Sequence, residues 1–218
     1  MQRFSILRYV MFKKKNYLLP ATIIVAILLA DQIFKIWIKT NLKIGDDIPV
    51  FGNWFLLHFT ENNGMAFGME FFGSAGKLIL SIFRIVAVAL LVFYLTRLIQ
   101  KKTPTVIIIC FALIIAGALG NILDSAFYGL IFSESSVSSV AEVFSDSGGY
   151  APFLYGKVVD MLYFPVIDIA RDAAPAWIPD FLFGNDGRFI FFRPIFNIAD
   201  AAITMGVISL SIFFRKMK

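Results

Sequence analysis

Phe196-Asn197-Ile198-Ala199-Asp200 opens the last apolar run of the chain, just after Arg193-Pro194 and ahead of a stretch that stays mostly apolar to Phe214. On a helix, positions three apart share a face, so Asn197 and Asp200 point the same way. A carboxylate at the mouth of a membrane helix is costly unless something uses it. The same spacing also serves structure, with Asn197 as N-cap and Asp200 beside the orphan backbone donors at the positive helix end. These five residues leave both readings open, cap and chemistry.

The chain around them is that of an integral membrane protein. Of 218 residues, 59% are hydrophobic and 16% charged, and the mean hydropathy is +0.79. Soluble domains carry about 25% charge. A single membrane domain over 1–218 is expected. One cysteine, Cys110, excludes an internal disulfide and a thiolate metal cluster. It lies mid-span among Ile and Phe and reads as a small buried hydrophobe. One histidine, His58, excludes the paired-His zinc signature. No metal and no cofactor is expected.

A hydrocarbon core about 30 Å thick needs about 20 apolar helical residues. Four runs qualify, at 17–38, 78–98, 106–123 and 196–214. The expected fold is therefore an all-α membrane protein of four transmembrane helices. The first run follows Lys13-Lys14-Lys15, as a signal peptide would. Asp31-Gln32-Ile33-Phe34-Lys35, rather than a small-x-small cleavage site, comes after it, so it reads as a retained span. Basic residues set the orientation. Arg3, Arg8 and Lys13–Lys15 precede span one; Arg97, Lys101 and Lys102 join spans two and three; Arg215, Lys216 and Lys218 end the chain. No acidic residue lies among them. Both termini are expected in the cytoplasm, with the connections 39–77 and 124–193 outside. The net charge of +5 follows this topology, and no nucleic-acid partner is expected.

The ionisable residues of the spans gather toward that outer side. Asp31 and Lys35 lie near the end of span one and Arg84 near the start of span two. Asn121 and Asp124 end span three, and Asn197 and Asp200 begin span four. Such residues belong in a bundle interior or a water-accessible cavity. Asp31 and Lys35 are an i, i+4 acid-then-base pair, which reads first as an ion pair.

In the first outer connection, Ile48-Pro49-Val50-Phe51-Gly52-Asn53-Trp54-Phe55-Leu56-Leu57-His58-Phe59-Thr60 predicts two or three short strands of a small extracytoplasmic sheet. His58 reads as a strand or surface residue. Glu61-Asn62-Asn63-Gly64 is a turn signal that presents Asn62. In the second connection, the Ser-rich 133–149 is expected to be mobile. Residues 155–164 predict a β-prone or interfacial run carrying one carboxylate, Asp160. Residues 168–187 predict an irregular loop docked on lipid headgroups. Two activities fit converging intramembrane acids: a hydrolase, or a small transporter or channel subunit with a carboxylate relay. The inner part of each span is almost wholly apolar, which favours a site on one side.

Five segments in order then carry a resemblance: Asp31-Gln32-x-x-Lys35; Asn62-x-Gly64-x-Ala66-Phe67; Gly117-Ala118-Leu119-Gly120-Asn121-x-x-Asp124; Val158-Val159-Asp160; and Phe196-Asn197-x-Ala199-Asp200. Together they resemble the bacterial lipoprotein signal peptidase, or signal peptidase II, family. The resemblance implies a membrane-embedded aspartyl endopeptidase with Asp160 and Asp200 as its catalytic pair. It implies that Asn62, Gly64, Asn121, Asp124, Val158, Asn197, Asp31 and Lys35 shape the site or hold the substrate. The implied substrate is a diacylglyceryl-modified prolipoprotein in membrane lipid, cut just before its lipidated cysteine by a monomer of the bacterial inner membrane. The site would face the outer side. Ser125 stands where the pattern continues with Arg, and Arg84 is the candidate to supply that charge. Met65 and Met161 also depart from the pattern, and both links of the second connection are long.

Overall fold

In the computed structural model, which describes residues 2–63, 73–175, 177–184 and 186–216, apolar helices carry a small sheet at one end of the bundle. Helix α1 covers Gln2–Asn41. A hairpin follows, β1 (Asp47–Phe51) and β2 (Phe55–Asn62). Then come α2 (Gly73–Gln100) and α3 (Thr105–Leu123). Among the described residues, three helical stretches are long and apolar enough to cross a membrane: Tyr17–Asn41, Ala75–Gln100 and Thr105–Ile131. The last helix, α5 (Ile198–Lys216), is shorter, with its apolar part at Ile198–Phe213. Many apolar side chains point outward, among them Leu29, Ile33, Phe83, Leu90, Met205 and Ile208. Water does not suit such a surface and lipid does, so this is an integral membrane protein.

Two span limits differ from expectation. The third helix does not end at Asp124. It continues through a π-helical turn, Asp124–Tyr128, into a final turn α4 (Gly129–Ile131). Asp124 is fully buried and held by Lys35, so it has no reason to mark a terminus. The fourth run begins late. Phe196 ends strand β6 (Ile195–Phe196), paired to Leu162, and the helix starts at Ile198.

The main sheet has the order β1-β2-β3-β6, with β3 at Val158–Tyr163, and its neighbours run antiparallel. Two of its strands come from the first connection, as expected, and two from the second. A one-residue register shift between Leu57 and Thr60 sets Thr60, rather than Phe59, opposite Asp160. Bulges of this kind re-aim side chains near functional sites. The freed Phe59 backbone bonds to Gly45 and Asp46 instead. One face of the sheet packs on the end of α1, with Phe59, Val159 and Met161 against Ile38, Leu42, Tyr128 and Phe132.

The second connection is more ordered than its composition predicts. Residues 168–187 are not wholly irregular, because β4 (Ile167–Ala170) and β5 (Arg188–Phe191) pair as a separate two-stranded sheet. Arg188 donates to Asp168 across it at 2.7 Å. The Ser-rich stretch is no free coil. Phe132 bridges Val143, Ser133 N donates to Glu142 O, and the Ser135 side chain is buried.

Helices α3 and α5 approach through small residues. A Cβ added at Gly117 would lie 2.1 Å from the Ala199 carbonyl oxygen, and one at Gly120 would lie 2.7 Å from an Asp31 carboxylate oxygen. Small residues are what allow membrane helices to close this far. Here the closeness brings α1, α3 and α5 together under the sheet.

Candidate active site

Asp160 lies in the middle of β3 and Asp200 in the first turn of α5. Asp160 is 2% exposed, whereas Asp200 is half-buried, so the site is deep on one side and open on the other. The first functional element is the head of α5. Asn197 is its N-cap: its Oδ1 accepts the Asp200 backbone N–H at 2.8 Å. The Asn197 carbonyl accepts the first intrahelical bond, from Ala201. Asp31 completes the cap from α1 by accepting the Ala199 N–H at 2.9 Å. The Asp200 carboxylate does not turn back onto its own cap. It accepts from Asn121 Nδ2 of α3 at 2.7 Å.

Asn197 also faces β3. Its Nδ2 donates to Asp160 Oδ1 at 2.7 Å. The same amide lies 3.2 Å from Asn121 Oδ1 and 3.3 Å from the Val159 carbonyl. The other Asp160 oxygen accepts from Asn62 Nδ2 at the end of β2. Thr60 is cross-paired with Asp160 and Asn62 with Val158, so Asn62 and Asp160 share one sheet face. A continuous relay therefore joins the two aspartates: Asp160 to Asn197 to Asn121 to Asp200.

A buried cation supports the relay from below. Lys35 Nζ is 2.7 Å from Asp124, 2.9 Å from Asp31 and 3.0 Å from Asn121 Oδ1. Lys35, Asp31 and Asp124 are at most 1% exposed. Asp124 Oδ2 also accepts the Val159 N–H at 3.4 Å, tying α3 to β3 beside Asp160. Buried charges persist only when paired and hydrogen-bonded on all sides. One cation against two carboxylates, with amides filling the remaining sites, meets that condition.

Burial, and after it the negative charge of Asp200, pushes Asp160 up to about 7. Lys35 and the bond from Asn197 act in the opposite direction. Two carboxyl groups in one site do not easily ionise together, and one of them keeps a proton.

The sequence candidates thus converge, with one outside the described residues. Asp31, Lys35, Asn62, Asn121, Asp124, Val158, Asp160, Asn197 and Asp200 lie in one connected cluster, while Gly64 falls among residues not described. Asp160 lies on a buried strand, as the β-prone run 155–164 predicts. Ser125, where an Arg was implied, turns its hydroxyl onto the Asn121 carbonyl at 3.0 Å and stays buried. Arg84 of α2 stands within electrostatic reach of Asp200, Asp124 and Asp160. His58 pairs with Asp47 at 2.7 Å near the surface, and Cys110 is buried, both as expected.

Gln32, quoted in the first motif without a role, and Tyr128, which no motif contains, also join the cluster. Gln32 Nε2 donates to Asp124 at 2.9 Å, and Tyr128 Oη donates to Gln32 Oε1 at 3.2 Å. The signal for Gln32 was its place beside Asp31 on an otherwise apolar span.

Comparison with known proteins places the chain in a family. A family model described as Signal peptidase (SPase) II matches residues 23–215. The lipoprotein signal peptidase of Porphyromonas gingivalis is 44% identical over 197 residues, 90% of this chain and 82% of that one. The lipoprotein signal peptidase of Amoebophilus asiaticus is 35% identical over 81% of this chain and 69% of that one. A bacterial membrane enzyme solved by the in meso method at 2.3 Å resolution is similar with a TM-score of 0.56 and 25% identity, covering 91% of this chain and 88% of that one. With the family model matched over residues 23–215 and a relative 44% identical over 90% of its length, this chain belongs to the signal peptidase II family.

Proposed function

We propose that Asp160 and Asp200 are the catalytic pair with which this aspartic endopeptidase removes signal peptides from prolipoproteins. The observation that carries the reading is the relay through Asn197 and Asn121, which ties the two carboxyl groups to one another and to opposite elements of the fold. In the reaction, the ionised carboxylate takes a proton from water as that water attacks the scissile carbonyl. The protonated partner keeps its proton while hydrogen-bonding the carbonyl oxygen, then transfers it to the leaving amine as the C–N bond breaks. Both bonds are handled without a covalent enzyme intermediate. Asp160 is the carboxyl whose neutral form burial favours, and Asp200 lies at the open edge.

The supporting residues divide by burial. Asp31, Lys35, Asp124, Asn121 and Asn197 are packed beneath the pair and hold it in place. Asn62 is half-buried on the open side of Asp160 and orients that carboxyl by donating to it. Arg84 supplies the positive charge that Ser125 does not.

The whole chain is one membrane domain of four spans, with α5 the shortest. Its termini face the cytoplasm and its site faces the outer side, in keeping with the basic residues at both ends and in the α2–α3 loop. The substrate is a diacylglyceryl-modified prolipoprotein, its acyl chains in lipid and its scissile bond at the interface. A monomer suffices, since one chain contributes both carboxyl groups. Membrane lipid meets the outer loops as well. Trp177, Phe181, Phe191 and Phe192 of the β4–β5 region are exposed, and an aromatic stack of Phe51, Trp54, Phe55 and Phe164 adjoins Phe196 at the head of α5. Aromatic belts mark the membrane–water interface. Family membership and the one-sided layer of acids leave no support for the transporter reading.

The test is substrate trapping. Asp160→Asn should retain uncleaved prolipoprotein through detergent purification, while the native protein should release cleaved product. A variant that cleaves as well as the native protein overturns the pair.

A further inference from the structure

A second buried charge cluster lies behind the sheet, outside the site described above. Lys39 of α1 is 0% exposed and ion-pairs with Glu61 of β2, whose side chain is 2% exposed. Lys39 Nζ also donates to Ser135 Oγ at 2.8 Å, and Ser135 donates to Glu61 Oε1 at 3.0 Å. The ammonium lies over the rings of Tyr150 at 5.0 Å and Phe132 at 5.5 Å. The second Glu61 oxygen is buried, accepts no hydrogen bond among the described residues, and has Lys157 Nζ 3.8 Å away. Four chain segments meet on this one carboxylate: the end of α1, the end of β2, the Ser-rich connection and the residue before β3.

Alternation along a strand gives this cluster its reach. Glu61 and Asn62 are adjacent in β2 and therefore point to opposite faces. Glu61 is cross-paired with Val159, and Lys157 lies one residue before β3, which carries Asp160. Anchoring Glu61 behind the sheet fixes the rotation of the β2 end, and that rotation aims Asn62 at Asp160 on the front.

We propose that the Lys39–Glu61–Ser135 clamp positions Asn62 against Asp160, so that the Ser-rich connection is a working part of the peptidase rather than a passive insert. The inference rests on the reading of Asp160 as catalytic. Lys39, Glu61 and Ser135 touch neither substrate nor reacting atoms; they act through Asn62. Glu61 is held by the ammonium of Lys39 and by a hydroxyl from the connection, so loss of either contact loosens the same strand end. Buried pairs that lose one partner leave an uncompensated charge, which drives the strand end to rearrange rather than merely relax.

The experiment compares kcat and KM for prolipoprotein cleavage by Glu61→Gln, Ser135→Ala and the double variant, with unfolding temperature in detergent as a control. Glu61→Gln should lower kcat about 10-fold with KM within about twofold, the scale of a misplaced orienting group. Ser135→Ala, which removes one hydroxyl, should lower kcat a few-fold at an unchanged unfolding temperature. The double variant should fall no further than Glu61→Gln alone, because the two act as one unit. Full kcat in Ser135→Ala, additive losses, or a rise in KM at constant kcat each overturn the proposal. If Glu61→Gln does not fold, Ser135→Ala decides alone. An Asp160→Asn variant that still cleaves would instead remove the catalytic reading on which the clamp rests.

Discussion

Asn197 donates to Asp160 at 2.7 Å while its side-chain oxygen caps the backbone N–H of Asp200. One amide side chain thus fixes both the acid beside it and the helix that carries the other. Replacing Asn197 with Ala removes a cap and leaves the Asp160 carboxylate short of a donor. The helix cap accounts for about 1 kcal/mol. The loss in catalysis should be larger, about 10²-fold in kcat, since orientation of both carboxyl groups goes with it. Asn197→Asp keeps the cap but buries a third carboxylate against Asp160 Oδ1, and should restore neither stability nor activity. Steady-state kinetics with thermal unfolding in detergent separates the two effects.

Lys35 is the only cation within salt-bridge distance of Asp31 and Asp124 among the described residues. Lys35→Met strands two buried carboxylates, and breaking a buried pair in this way costs about 3–5 kcal/mol. The expected result is poor accumulation in the membrane and a sharply lowered unfolding temperature. Normal unfolding with normal cleavage would show that the cluster is not the support described above.

Gly117 has no room for a side chain, with the Ala199 carbonyl 2.1 Å from where its Cβ would lie. Gly117→Val should force α3 from α5, displace Asp200 from Asn121 and abolish cleavage. Ala118, its neighbour, is the control position, and Ala118→Val should be better tolerated.

The fold and the site were not equally legible in the sequence. Apolar runs of about 20 residues announce membrane helices, because a hydrocarbon core demands them. The head of α5 was legible too, since Asn197 and Asp200 carry a spacing with a physical meaning. Asp160 was not. A six-residue strand of Val, Met, Leu and Tyr with one carboxylate has no periodicity that marks it, and only the family resemblance singled it out. The helix beyond Leu123 was hidden because Asn121 and Asp124 look like terminal residues until their partner Lys35 is seen. Lys39 was overlooked for the opposite reason. A lysine in the last turn of a helix ordinarily faces solvent and complements the helix dipole, and nothing local reveals that Glu61 and Ser135 close over it.

Asp160 is pushed up to about 7 by burial, and after that by the charge of Asp200. A carboxyl raised above its ordinary value of about 3.9 adds stability in full below that value. The contribution is lost as pH rises through about 7. Activity should follow the same sign, with kcat/KM falling on the alkaline side near pH 7 as the pair loses its shared proton. Removing the neighbouring charge in Asp200→Asn should move the Asp160 titration to lower pH, read from its carboxyl stretch in infrared difference spectra. A flat kcat/KM through pH 9 and an unmoved titration would contradict the coupling.

The most direct test is single-turnover cleavage of a diacylglyceryl prolipoprotein by purified Asp160→Asn and Asp200→Asn, each checked for native unfolding temperature. Both changes preserve shape and remove the ability to exchange a proton. Each should lower the cleavage rate by about 10²–10⁴-fold or more, the scale of a lost acid–base group, with substrate still bound. Near-native cleavage by either folded variant would contradict the assignment of Asp160 and Asp200 as the catalytic pair.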